Sequence, residues 1–247
     1  MKEFFFAVCL YFAVVLPVFA DEITVAAAAN VQFTLEELAA AFEKDNPDIQ
    51  IKTVSGSSGM LTAQIENGAP FDIFLSADME YPQAIHEKGL AAQAPKIYVY
   101  GTLVLWTLGD FDLSRGVEVL TDPAITHVAI ANPETAPYGR QAVNVLKFYN
   151  LYPDISPKLV YGESISQVNP FITEQAADIG FTAASVVLAP GVRDKGKWVE
   201  VDSKSYRPIA QGVVLLKDRA ASSRAFYDFI SSEKAGVIFK KYGYILP

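Results

Sequence analysis

Ile23-Thr24-Val25-Ala26-Ala27-Ala28-Ala29-Asn30 is apolar throughout apart from Thr24, and it stops on an asparagine. That pattern predicts a strand buried on both faces, as in a parallel sheet, running into a polar turn. Asn30 can cap the helix that follows, in which Leu35, Leu38, Ala39 and Phe42 recur at i, i+3, i+4 and i+7. Asn46-Pro47 ends that helix. Residues 49–54 read as a second strand, Ser55-Gly56-Ser57-Ser58-Gly59 as a tight polar turn, and 60–66 as a helix closed by Asn67-Gly68. A strand over 71–75 and a helix over 81–88 complete a βαβαβα order, which implies a parallel sheet with helices on both faces.

Further out, 98–108 is a long apolar stretch containing Gly101, and 209–216 is a second one containing Gly212. Between them the pattern starts again, with strands over 127–131, 158–161 and 178–182 and helices over 141–149 and 166–175. Two more helices, 222–230 and 233–242, close the chain. The restart predicts an α/β protein of two lobes, each a mostly parallel sheet flanked by helices, joined by two long hinge strands. Lobe one takes 21–100 plus 210–247, and lobe two takes 101–209. A single continuous doubly wound sheet is the rival arrangement.

The first residues bear on compartment. Met1-Lys2-Glu3, an apolar run from Phe4 to Phe19, and Val18-Phe19-Ala20 before Asp21-Glu22 have the layout of a secretory signal peptide, 1–20, cleaved near Ala20. The run is shorter than the roughly 20 residues that span a bilayer. Cys9, the one cysteine, lies inside it, so the chain after cleavage has no disulfide and no thiolate metal site. The expected location is periplasmic, with no membrane insertion once the signal is removed. A net charge of −8 without a basic cluster argues against nucleic acid as a partner.

Ligands of open α/β sheets sit beyond the carboxyl ends of strands, against helix N-termini. Four turns qualify: Ala28-Ala29-Asn30, Ser55 to Gly59, Thr135 to Gly139, and Glu163-Ser164-Ile165-Ser166. Glycines there let backbone approach a ligand, hydroxyls donate, and the first N–H groups of each helix are unpaired. Each turn also has a plainer reading: Asn30 as a helix cap, the serines as ordinary βα-loop caps, Tyr138 as surface packing. No lysine follows the Ser-Gly turn, so it is not a nucleotide P-loop. Neutral donors can still hold a dianion, at about 1.5–3 kcal/mol for each hydrogen bond to a charged group.

Signatures of catalysis are weak. Gly56-Ser57-Ser58-Gly59 lacks the spacing of a nucleophile elbow, and His86 and His127 have no ligand-like spacing. Asp72 and Asp78 flank a strand end and read either as an acid/base pair or as solvated turn carboxylates. No catalytic residue and no cofactor are expected.

With those turns in view, the sequence resembles the molybdate-binding proteins of bacterial ABC importers, a branch of the type II periplasmic binding fold. The carriers are residues 23–30, Ser57-Ser58 with Gln64-Ile65-Glu66-Asn67-Gly68-Ala69-Pro70, and Phe71-Asp72-Ile73-Phe74-Leu75-Ser76-Ala77-Asp78. Asn132-Pro133-Glu134 and Ile238-Phe239-Lys240-Lys241-Tyr242-Gly243 extend them. The resemblance implies a monomeric receptor that captures molybdate, and tungstate with it, as an oxyanion without direct protein–metal bonds, and passes it to an ABC permease at the inner membrane. It implies oxyanion contacts from Asn30, Ser58, Tyr138 and the Ile165 N–H, with Ala29 and Ser57 beside them. Many members carry a ligand tyrosine where this chain has Ala183; Tyr138 would then bring a phenol from the opposite wall. A receptor for another oxyanion such as sulfate, and a periplasmic hydrolase of phosphate or sulfate esters, are the alternative readings.

Overall fold

The computed structural model describes residues 21–247; the expected signal peptide lies outside them. In chain order the strands are β1 (Asp21–Ala28), β2 (Ile49–Gly56), β3 (Ile73–Leu75), β4 (Lys96–Gly101) and β5 (Leu103–Thr107), then β6 (Val128–Ala131), β7 (Leu159–Gly162), β8 (Ile179–Ala183), β9 (Lys197–Glu200) and β10 (Ile209–Leu215). The helices are α1 (Gln32–Asp45), α2 (Ser58–Glu66), α3 (Glu80–Glu87), α4 (Pro137–Phe148) and α5 (Tyr152–Ile155), then α6 (Ile165–Thr173), α7 (Ala184–Val187), α8 (Ala221–Phe229) and α9 (Glu233–Lys241).

The strands divide into two five-stranded sheets, ordered β2-β1-β3-β10-β4 and β7-β6-β8-β5-β9, rather than one continuous sheet. In each, one strand runs against the other four: β10 pairs antiparallel with β3 and β4, and β5 pairs antiparallel with β8 and β9. The long apolar stretch 98–108 is broken at Thr102. Up to Gly101 its partner is Ile209 of β10, and from Leu103 its partner is Ala183 of β8. One ribbon cannot continue a ladder in two differently oriented sheets, so the chain changes partner there and crosses between lobes. It crosses back between β9 and β10, a stretch that holds a short 3-10 turn over Ser203–Ser205.

The apolar patterning is obeyed on both faces of the first sheet. Ile23, Val25 and Ala27 pack with Leu35, Leu38, Phe226 and Phe239 on one side, while Ala26 joins Leu61, Phe74 and Val214 on the other. The second lobe has its own core around Trp106, Ile130, Val168 and Phe181. β2 is an edge strand and largely exposed, which explains its polar Lys52 and Thr53. β9 and the short helices α5 and α7 were not legible from periodicity. Each is only four residues long.

Candidate functional site

The C-terminal ends of β1, β2, β6 and β7 lead into the turns singled out from sequence, and the two lobes bring those turns face to face. They line a small, tight pocket bordered by Ala28, Ala29, Asn30, Gly56, Ser57, Ser58, Ala77, Ala136, Pro137, Tyr138, Ser164 and Ile165. All six expected positions are among these residues. The other lining residues also lie in the four candidate turns, except Ala77, which comes from outside them. No charged side chain belongs to the lining.

The polarity of the wall follows from how each helix begins. Ser57 caps α2, its Oγ accepting from Met60 N at 3.3 Å. Ser58 is the first helical residue, and its Oγ accepts from Ala77 N at 3.0 Å, which leaves the hydroxyl hydrogen free. Ile165 opens α6 behind Ser164, whose side chain does not cap; Ser164 Oγ lies 2.7 Å from Ser166 Oγ instead. The Ile165 N–H therefore has no intrahelical acceptor. α4 starts at Pro137, which has no N–H to satisfy, and places Tyr138 in its first turn. Gly139 lets that turn close on β6, because a Cβ there would overlap Ala131 O. Three helices of nine, twelve and nine residues thus direct their partially positive ends at one uncharged space.

Tyr138 is not surface packing: it is 2% exposed. Burial, with Tyr244 and Tyr98 nearby, pushes its phenol well above the ordinary range, so it remains a protonated donor. Its Oη accepts from Gln211 Nε2 at 3.2 Å. Ala183, at the end of β8, is buried and takes no part in the lining.

Asn30 requires a correction. It does not cap α1: it sits in a 3-10 turn, Ala29–Val31, and α1 has no side-chain cap. Its Nδ2 donates to Gln211 Oε1 at 2.9 Å and to Tyr244 Oη at 3.0 Å, while its carbonyl accepts from Ser185 Oγ at 2.6 Å and Tyr244 Oη at 3.0 Å. Both Nδ2 hydrogens are thereby used, and Ala28, Ala29 and Asn30 at the start of that turn line the cavity. Burial raises the Tyr244 phenol to about 12, so it too stays a donor. Gln211, Tyr98, Tyr244 and Ser185 escaped sequence reading because they come from distant elements and carry no local spacing signal.

The lobes touch around the cavity mouth. Gly59 N donates to Thr135 O at 2.9 Å, and Tyr81 Oη donates to Glu134 O at 3.2 Å. Arg140 of α4 reaches Glu80 at 2.5 Å and Asp78 at 3.1 Å across the same gap. Asp78 is therefore not a solvated turn carboxylate: it is largely buried and paired with Arg140. Burial pushes its carboxyl up, and hydrogen bonds from Tyr81 N and Ser76 together with the Arg140 charge offset only part of that, so it stays above the ordinary carboxylate range. Asp72 accepts from Thr24 N at 2.7 Å, a structural bond within the first lobe.

Two lobes, each a mostly parallel sheet, closing turn against turn on a small neutral pocket make a ligand receptor, and the sequence comparisons agree. Residues 23–245 match the family model of the bacterial extracellular solute-binding proteins, and the chain belongs to that family. Within it, the chain is 37% identical to the molybdate-binding protein ModA of Rhodobacter capsulatus, over 97% of this chain and 94% of that one. It is 38% identical to ModA of Azotobacter vinelandii, over 91% and 90%. The solved Azotobacter vinelandii periplasmic molybdate-binding protein superposes with a TM-score of 0.86 at 34% identity, covering 91% of this chain and 99% of that chain. The sulfate-binding protein SubI of Mycobacterium tuberculosis shares the fold, with a TM-score of 0.73 at 14% identity.

Proposed function

We propose that this protein is a periplasmic receptor that captures molybdate between its lobes and delivers it to an ABC permease. The observation that carries this reading is the uncharged cavity on which three helix N-termini and the hydroxyls of Ser58 and Tyr138 converge, in a chain similar over nearly its whole length to ModA proteins. The lobes are 21–100 with 210–247 and 101–209, and the receptor acts as a monomer with no nucleic-acid partner. No helix among the described residues is long and apolar enough to cross a membrane. Tungstate, nearly equal in size and charge, binds in the same way, and no cofactor takes part.

Each proposed contact has a physical role. Ser58 and Tyr138 give O–H donors; Ile165, Ala29 and Asn30 give backbone N–H donors; Ser57 contributes its hydroxyl at the head of α2. Fixed neutral dipoles replace the hydration shell of a dianion without bringing in a mobile counter-charge. No carboxylate lines the pocket to accept a proton from a hydrogen phosphate, which favours anions that are fully deprotonated at neutral pH. The hydrolase reading has nothing comparable behind it: the lining holds no histidine or carboxylate to act as a base.

Ser58→Ala tests the site. Removing one hydroxyl donor to a charged ligand costs about 1.5–3 kcal/mol, or roughly 10- to 150-fold in affinity. Calorimetric titration with molybdate measures it, and an apo melt beside it registers the lost acceptor for Ala77 N. Unchanged affinity would remove Ser58 from the contact set.

A further inference from the structure

Gln211 stands behind the pocket, where the lobes join. It is fully buried in β10, beside an irregularity in the ladder with β4: Gln211 pairs with Val99 and Gly212 with Ile97, so Tyr98 is the extra residue. Such a bulge re-aims side chains, and Tyr98 Oη donates to Gln211 Oε1 at 3.0 Å. The same Oε1 accepts from Asn30 Nδ2 at 2.9 Å, and Nε2 donates to Tyr138 Oη at 3.2 Å. One carboxamide therefore joins β4, the turn after β1 and the first turn of α4 in the other lobe.

The direction of these bonds has a chemical consequence. Oε1 is committed to two donors, which fixes the amide so that its Nε2 hydrogens face Tyr138. A phenol oxygen that receives a hydrogen bond from Gln211 must send its own hydrogen elsewhere, and the cavity is the space that Tyr138 lines. Gly101 keeps room for the pair. A Cβ there would overlap Tyr138 Oη and stand 2.5 Å from Gln211 Nε2.

We propose that Gln211 is a positioning residue that orients the Tyr138 hydroxyl as a donor toward the bound oxyanion and links it to Asn30 across the junction of the lobes. This rests on reading the cavity as the oxyanion site. Gln211 does not touch the ligand; it acts through Tyr138.

A double-mutant cycle read by calorimetric titration with molybdate tests it, using the parent, Tyr138→Phe, Gln211→Met and the double variant. Each single change weakens binding by about tenfold or more, the loss of one charge-assisted bond. The double variant binds at least about fivefold more tightly than the product of the two losses, because Gln211 has nothing left to orient once the hydroxyl is gone. A merely structural Gln211 would lower the apo melting temperature and leave the two affinity losses independent. Should Gln211→Met fail to fold, Gln211→Glu takes its place in the cycle, since it keeps the acceptor for Tyr98 and Asn30 and replaces the amide donor. Independent losses overturn the proposal, as does parent-like binding by the Gln211 variant beside a weakened Tyr138→Phe. Parent-like binding by Tyr138→Phe would instead overturn the site reading, and the proposal with it.

Discussion

Molybdate at about a thousand times its dissociation constant should stabilise the folded chain by about 4.1 kcal/mol, because only the folded state has the pocket. For a chain of this size each kilocalorie raises the melting temperature by about 2–4 °C, so the expected shift is about 8–16 °C. The cause is specific. The turns after β1, β2, β6 and β7 come from two separate sheets, and an ion held by all of them adds to the contacts through which the lobes already meet, such as Gly59 with Thr135, Tyr138 with Gln211 and Arg140 with Asp78 and Glu80. Differential scanning calorimetry of residues 21–247, with molybdate and with the same concentration of sulfate, measures the shift. A larger shift with sulfate would reassign the ligand while leaving the oxyanion pocket in place.

The second large effect belongs to the scaffold. Trp106 is fully buried at the centre of β5, between Gly180 of β8 and Trp198 of β9, and its Nε1 donates to Lys195 O at 2.8 Å. Trp106→Ala removes the largest buried side chain and leaves that carbonyl without its donor. Large-to-small changes of this kind cost about 3–5 kcal/mol, a fall in melting temperature of about 6–20 °C. Trp106→Phe keeps most of the volume and should lose much less. Trp106 is not part of the pocket lining, so the folded variant should bind molybdate with nearly the parent affinity. A melt within 2 °C of the parent would contradict the packing described for the second lobe, since about 1 kcal/mol already moves it that far.

The four βα turns were legible because their cue is local: an apolar run ending in Asn, Ser, Gly or Pro just before a helical period. That cue marked the turns that hold Ser58, Tyr138 and Ile165 without any tertiary information, while the choice of those residues within the turns, Ile165 above all, came from the family resemblance. It did not decide what Asn30 does. A cap and a ligand contact call for the same residue type, and only the fold reveals the 3-10 turn that displaces Asn30 from the capping position. Nor could it decide the burial of Tyr138, which depends on Gly101 and Gln211 arriving from the other side of the junction. The break at Thr102 was hidden for a related reason. An apolar run looks the same whether it pairs within one sheet or changes partner midway, and the ladder shows the change from Ile209 to Ala183.

The most direct test of the account is calorimetric titration of the purified, ligand-free chain with molybdate, tungstate, sulfate and phosphate in turn. One molybdate or one tungstate should bind per chain, each at least about 100-fold more tightly than sulfate, a difference of about 2.8 kcal/mol, and phosphate should give no measurable heat. Sulfate or phosphate binding as tightly as molybdate would contradict it.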